Sequence, residues 1–188
     1  MTSLSRGGGD PPQKRESKAA TGVRPSNANI KGSVPDTRVD VNDLSYAIIA
    51  TQSSSENSDV VHRGIGAAFV GRLARDLEMD QSTLAAHMGI ARSTFSRKLK
   101  NDEALSRGDG AIALGVARLI GEVDRILRES GDPEQMGESF DVAEWTGQWL
   151  KQPVGALGNR RPLDYLDNAF GQETVLQLIR QMQSGAFA

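Results

Sequence analysis

"QSTLAAHMGIARSTFSRKLK", residues 81–100, is the stretch on which the fold turns. Its apolar residues fall at Leu84, Met88, Ile90, Phe95 and Leu99, a helical spacing interrupted once, at Gly89. Ala85 is small enough to let two helices approach, and glycine is the residue that most easily takes the turn between them. Asp80 stands where a first helix needs an N-cap, because its carboxylate accepts from unpaired backbone N–H groups. The spacing therefore predicts a helix over 81–88, a turn, and a second helix over about 92–100, the grammar of a helix-turn-helix. Lys98 occupies a place that many such motifs keep apolar, so Leu99 is expected to face the core instead.

The second of these helices, "ARSTFSRKLK" (91–100), carries four cations and no acid in a 188-residue chain of formal net charge −2. Positive charge concentrated on one short helix implies a local polyanionic target, here DNA. Arg92, Ser93, Thr94, Ser96 and Arg97 lie on or near its exposed N-terminal part, where side chains can meet base edges in a major groove. Lys98 and Lys100 sit further back and suit phosphates. Gln81 opens the preceding helix, where free N–H groups favour a phosphate or base contact. A solvated helical hairpin would also carry charge. It would not explain the turn glycine, the small residue, the apolar spacing and the acid-free face together.

Upstream, Phe69, Leu73 and Leu77 recur at i, i+4, i+8 and mark one more helix. Downstream, Ser106 and Asp109 resemble a capping box with Asp in place of Glu. They open a long helix with an inward stripe of Ile112, Val116, Leu119, Val123 and Ile126 or Leu127. That helix is the first candidate for a homodimer surface, since such proteins commonly read two half-sites about 34 Å apart. Residues 39–51 ("VDVNDLSYAIIAT") fit strand and helix equally well, and the polar run "QSSSENSD" follows them. Residues 1–38 are rich in Gly, Pro, Ser and cations and should form a disordered, solubilising tail. The predicted body is all-α: an uncertain element and linker over 39–63, a helix-turn-helix domain over 64–128, and a second unit over 129–188.

Composition narrows the function classes. With no cysteine there is no disulfide, thiolate metal site or cysteine nucleophile, and the two histidines, His62 and His87, read as structural or solvent-facing. The carboxylates are scattered, so neither a catalytic residue nor a metal or cofactor site is nominated. "GIGAAFVG" (64–71) misplaces the third glycine of a dinucleotide-binding loop and follows no apolar strand, so it reads as helix entry. No run approaches 18 apolar residues and no signal-peptide core is present, which points to the cytoplasm and away from membranes.

The second unit is acidic, with nine carboxylates against Lys151, Arg160, Arg161 and Arg180. Three short helices are expected in it: 141–151 with Val142, Trp145 and Trp149 inward, 162–169 with Pro162 in its first turn, and 173 to about 184 with Val175, Leu178, Ile179 and Met182, after a break at Gly171. The order within "WLKQPVGALGNRRPLDYLDNAFGQETVLQLI" (149–179) is distinctive: a Trp-Leu pair, a proline, an Ala-Leu-Gly turn, a double arginine, a proline and a leucine-rich stretch. This order resembles the toxin-binding domain of the MbcA/ParS/Xre antitoxins, which also carry a helix-turn-helix upstream. The likeness covers about 64–188. Asn159 replaces the second glycine of the usual turn, and asparagine tolerates the left-handed backbone such a turn needs.

The resemblance implies a type II antitoxin that represses its own operon through the helix-turn-helix and blocks the active site of a RES-type toxin that consumes NAD⁺. It implies a toxin-binding region marked by Trp149, Leu157, Gly158, Arg160, Arg161, Pro162 and Leu163, with Trp149 and Pro162 stabilising it and the arginines making contact. It further implies that the end of the chain, "SGAFA" with Phe187, borders the toxin's NAD⁺ pocket. The expected partners are the cognate toxin, operator DNA and a second copy of the chain. An alternative is a stand-alone helix-turn-helix regulator whose C-terminal helices dimerise or sense a small molecule.

Overall fold

Side-chain caps set where this chain becomes helical. Asp40 caps a 3₁₀ turn, Val41–Asp43, and Ser45 caps α1, Tyr46–Thr51. Ser53 and Glu56 form a reciprocal capping box at the start of α2, Ser54–Arg63. Between strand and helix, equal on apolar content alone, these successive caps decide for helix. The computed structural model describes residues 40–130 and 140–183, all within one unit, so the expected tail and the "SGAFA" end with Phe187 lie outside the described residues.

Five further helices precede the last: α3 (Ala68–Asp76), α4 (Gln81–His87), α5 (Arg92–Lys100), α6 (Arg107–Ser130) and α7 (Val142–Leu150). The last is α8 (Ala169–Gln183). Among the described residues the only β pairing is two isolated bridges, Gly66 with Ala104 and Val154 with Arg160. The fold is all-α.

The expected inward stripe of α6 is present but much wider than one face. Ala113, Leu114, Val116, Ala117, Leu119, Ile120, Val123 and Ile126 are all buried, while Ile112 and Leu127 are partly so. α1, α2, α3, α7 and α8 pack around it. The expectation that α6 offers a dimer face is therefore corrected: its apolar surface is already covered by the chain's own helices. Phe69, Leu84 and Phe95 share one continuous core with Leu150, Leu166 and Val175 from beyond residue 129.

Three elements in the C-terminal half differ from expectation. α7 buries Ala143, Thr146, Gly147 and Leu150, at i, i+3, i+4 and i+7; of the residues expected inward, Val142 and Trp149 are partly buried against the core and Trp145 is exposed. This small-residue face lies so close to the end of α3 that a Cβ on Gly147 would collide with the Leu77 carbonyl, and an indole cannot fit there. Pro162–Tyr165 forms only a 3₁₀ turn, and α8 begins a turn earlier than expected because the Asn168 side chain accepts from the Gly171 N–H at 2.9 Å. Gly171 is thus inside the helix, where its missing Cβ lets the Tyr165 carbonyl approach.

Polar groups pin the outer elements. One Nη of Arg72 donates to the carbonyls of Asn42 (2.7 Å) and Leu44 (3.0 Å), and its guanidinium lies 4.7 Å from the centre of the Tyr46 ring. Glu122 is 7% exposed on α6 and accepts from Arg125 (2.9 and 3.0 Å) and from Arg180 of α8 (2.8 Å). The hydrogen bonds from Arg125, then those from Arg180, outweigh burial and lower its pKa from 4.5 to about 2. A carboxylate with a lowered folded-state pKa stabilises the fold above its unfolded value and loses that contribution as pH falls. Glu122→Gln should therefore unfold at lower urea at neutral pH, yet lose less stability than the wild type between pH 4.5 and about 2. Urea titrations across that interval check this; parallel acid limbs would contradict it.

Candidate functional site

The first candidate surface is α5. Its partner α4 starts at Asp80, whose carboxylate accepts from the Thr83 N–H at 2.9 Å, as expected of the N-cap. Gly89 takes the turn with φ +76°, and the Ile90 N–H closes it by donating to the Ala85 carbonyl at 2.9 Å. Leu84, Ala85, Met88, Ile90 and Phe95 are buried, so α5 is held by its Phe95 side. Its far end is tied through the Gly66–Ala104 bridge, where the Ala67 N–H meets the Glu103 carbonyl at 3.0 Å.

Arg92, Ser93, Ser96, Arg97 and Lys100 are exposed along α5, Thr94 is half-buried, and Gln81 is exposed at the start of α4. No side chain caps α5 at Ala91, which leaves its first N–H groups open to an outside acceptor. Arg97 is engaged, with Nη1 at 2.7 and 2.6 Å from the two carboxylate oxygens of Glu103.

Leu99 does not replace Lys98 in the core. It is 36% exposed, whereas Lys98 is half-buried and its Nζ donates to the Ala104 carbonyl at 2.6 Å. A lysine can lay its methylenes over apolar surface and still reach a polar partner, so it keeps the inward register that spacing from Phe95 assigns. The ammonium expected to face phosphates is here bonded to the protein's own backbone.

The second candidate surface is the turn after α7. Val154 and Arg160 pair in an isolated bridge, with the Val154 N–H donating to the Arg160 carbonyl at 3.0 Å. Between them Gly155–Leu157 makes a 3₁₀ turn, and the chain reverses through Gly158 (φ +64°) and Asn159 (φ +59°), two successive left-handed residues. Gly158, Arg160 and Arg161 are exposed at this turn, and Leu157 and Trp149 are half-buried. Pro162 and Leu163 are buried and hold the turn against the core. The two arginines differ: the Arg161 fork is closed on Asp164 (3.1 and 2.6 Å), while the Arg160 guanidinium lies 4.9 Å from the Tyr165 ring centre.

A feature missed in the sequence lies beside it. Trp145 is 36% exposed and stacks on Trp149, ring centres 6.4 Å apart and 5° from parallel. The signal was the small-residue face Ala143, Thr146, Gly147, which turns Trp145 away from the core. His87 of α4 approaches Asp164 with Nδ1 3.7 Å from the carboxylate, so the two candidate surfaces belong to elements that touch. No described helix is long and apolar enough to cross a membrane.

A helix-turn-helix whose second helix is basic and uncapped, built on one core with a tightly turned arginine-bearing segment, defines a helix-turn-helix protein with an appended binding domain. Residues 56–118 match the antitoxin Xre-like helix-turn-helix domain, and residues 137–185 match the antitoxin Xre/MbcA/ParS C-terminal toxin-binding domain. The chain is similar to the Prs ADP-ribosylating antitoxin of Sphingobium sp. (strain YBL2), 33% identical over 172 residues, or 92% of this chain and 99% of the relative. The chain belongs to the Xre/MbcA/ParS antitoxin family.

The geometry at the turn makes one prediction. At φ +59° a Cβ-bearing residue without a side-chain amide is disfavoured, so Asn159→Ala should destabilise by about 1 kcal/mol, while Asn159→Gly should be neutral or slightly stabilising. Chemical denaturation of the two variants checks it; a larger loss for glycine than for alanine would contradict the conformational account.

Proposed function

We propose that this antitoxin represses its own operon through α5 and inhibits a RES-type, NAD⁺-consuming toxin by covering the toxin's active site. The observation that carries the reading is the pairing of an exposed basic α5 with an exposed arginine turn on one shared core, each within a matched domain. The name of the Sphingobium relative couples an antitoxin to ADP-ribosylation, a reaction that consumes NAD⁺, and this supports a toxin of that chemistry. Inhibition is by occlusion and not by catalysis. The chain works in the cytoplasm as a homodimer, one α5 per half-site.

On the toxin side Arg160 is the contact we favour, because its donors meet no carboxylate among the described residues, whereas Arg161 orders the turn through Asp164. Trp149, Pro162 and Leu163 support it, with Leu157 and Gly158 shaping the turn. Phe187 borders the toxin's NAD⁺ pocket. On the DNA side Arg92, Ser93, Thr94, Ser96 and Arg97 meet base edges, and Gln81 and Lys100 meet phosphate. Lys98 fixes the end of α5 through Ala104.

Co-expression with the proposed cognate RES-type toxin tests the antitoxin reading. Growth and cellular NAD⁺ should be restored by the wild-type chain and by Lys100→Ala, but markedly less by Arg160→Ala; failure of the wild-type chain to restore either would sink it. For DNA, Lys100→Ala should flatten the salt dependence of binding by about one unit of slope, and Lys98→Ala should leave that slope unchanged while costing about 1 kcal/mol of stability. Equal slopes for the two variants would remove this division of roles.

A further inference from the structure

Two acids, Asp102 and Glu103, follow the basic helix closely, where DNA phosphates would repel them, and of these Glu103 is built in firmly. Its N–H donates to the Lys98 carbonyl at 2.8 Å, and its own carbonyl accepts from the Ala67 N–H at 3.0 Å. Asn101 donates to its Oε1 at 2.9 Å. The hydrogen bonds from Asn101 and then Arg97 hold its carboxyl below the usual range, so it is charged at neutral pH.

What this carboxylate does is grip Arg97 by a single atom. Both contacts, 2.7 and 2.6 Å, are made by Nη1. The Nε and Nη2 of Arg97 have no hydrogen-bond partner among the described residues. Guanine is read through O6 and N7 by two parallel N–H groups, and the Nε/Nη2 edge of a guanidinium is such a pair. An exposed ion pair contributes little to stability, so stability does not explain why an acid is kept beside a DNA-facing helix. Orientation does: an arginine held by one corner presents its opposite edge without losing side-chain freedom on docking.

We propose that Glu103 is a positioning residue for sequence readout, turning the free Nε/Nη2 edge of Arg97 toward a guanine while lowering general affinity for the phosphate backbone. This rests on the DNA-binding reading above, and the test separates the two. The wild-type full-length chain is used to enrich a duplex from a randomised pool. That duplex and a scrambled one of equal length are then titrated by fluorescence anisotropy over a salt series. Glu103→Gln should lower the preference for the enriched duplex about tenfold and bind the scrambled duplex more tightly than the wild type. Adding Glu103→Gln to Arg97→Ala should change the preference no further, because the glutamate acts through the arginine. The inference is overturned if Glu103→Gln keeps the wild-type preference, or if it weakens both duplexes equally, as a purely structural loss would. If the wild-type chain enriches no sequence, the DNA-binding reading itself fails.

Discussion

A long helix that is apolar around most of its circumference cannot be left in water, and the architecture follows from covering α6. Helices from before and after the helix-turn-helix are drawn onto it: α1 and α2 on the N-terminal side, α7 and α8 on the C-terminal side, with α3 joining them to α4 and α5. At about 25 cal/mol per Å² of apolar surface removed from water, this burial is the dominant favourable term available to an all-α chain with no disulfide. Few polar groups accompany it inside. Glu122 is accepted there because two arginines meet it, and Gln172 because its amide donates to the carbonyls of Ile112 (3.0 Å) and Leu166 (2.9 Å).

The shared core has a functional consequence. The α5 surface and the Val154–Arg160 turn are parts of one packed body, joined where α7 abuts the end of α3 and where His87 approaches Asp164. Packed interiors transmit small displacements because they are dense and resist compression. The exposed ion pairs, Arg97 with Glu103 and Arg161 with Asp164, are of a kind worth at most about 1 kcal/mol each. Their effect is geometric: each holds one exposed arginine against a nearby carboxylate.

Much of this was legible from residues. Asp80, Gly89 and Phe95 mark the helix-turn-helix through capping, turn chemistry and spacing, all local effects that hold wherever the segment is placed. Asn159 could be read as a left-handed residue for the same reason. The capping box Ser53–Glu56 was also visible in "QSSSENSD", and it marks the start of the helix over 54–63. Trp145 misled because size suggests burial. Trp145 is outside because the facing element is a backbone at close range, and only Ala143, Thr146 and Gly147 fit under it.

The sequence by itself determined the helical class, the positions of the caps and turns, the basic character of α5 and the order of the C-terminal motif, since each depends on residues within a few positions of one another. Tertiary structure decided which of two neighbours points inward. It placed Lys98 over the core and Leu99 outside, covered α6 on nearly all sides, and set the Tyr165 carbonyl against Gly171, where a Cβ would collide. It also brought Glu103 to one corner of Arg97 and Asp164 to Arg161 and His87. Such outcomes depend on surfaces that meet across the fold, and a spacing rule holds no information about what lies on the other side.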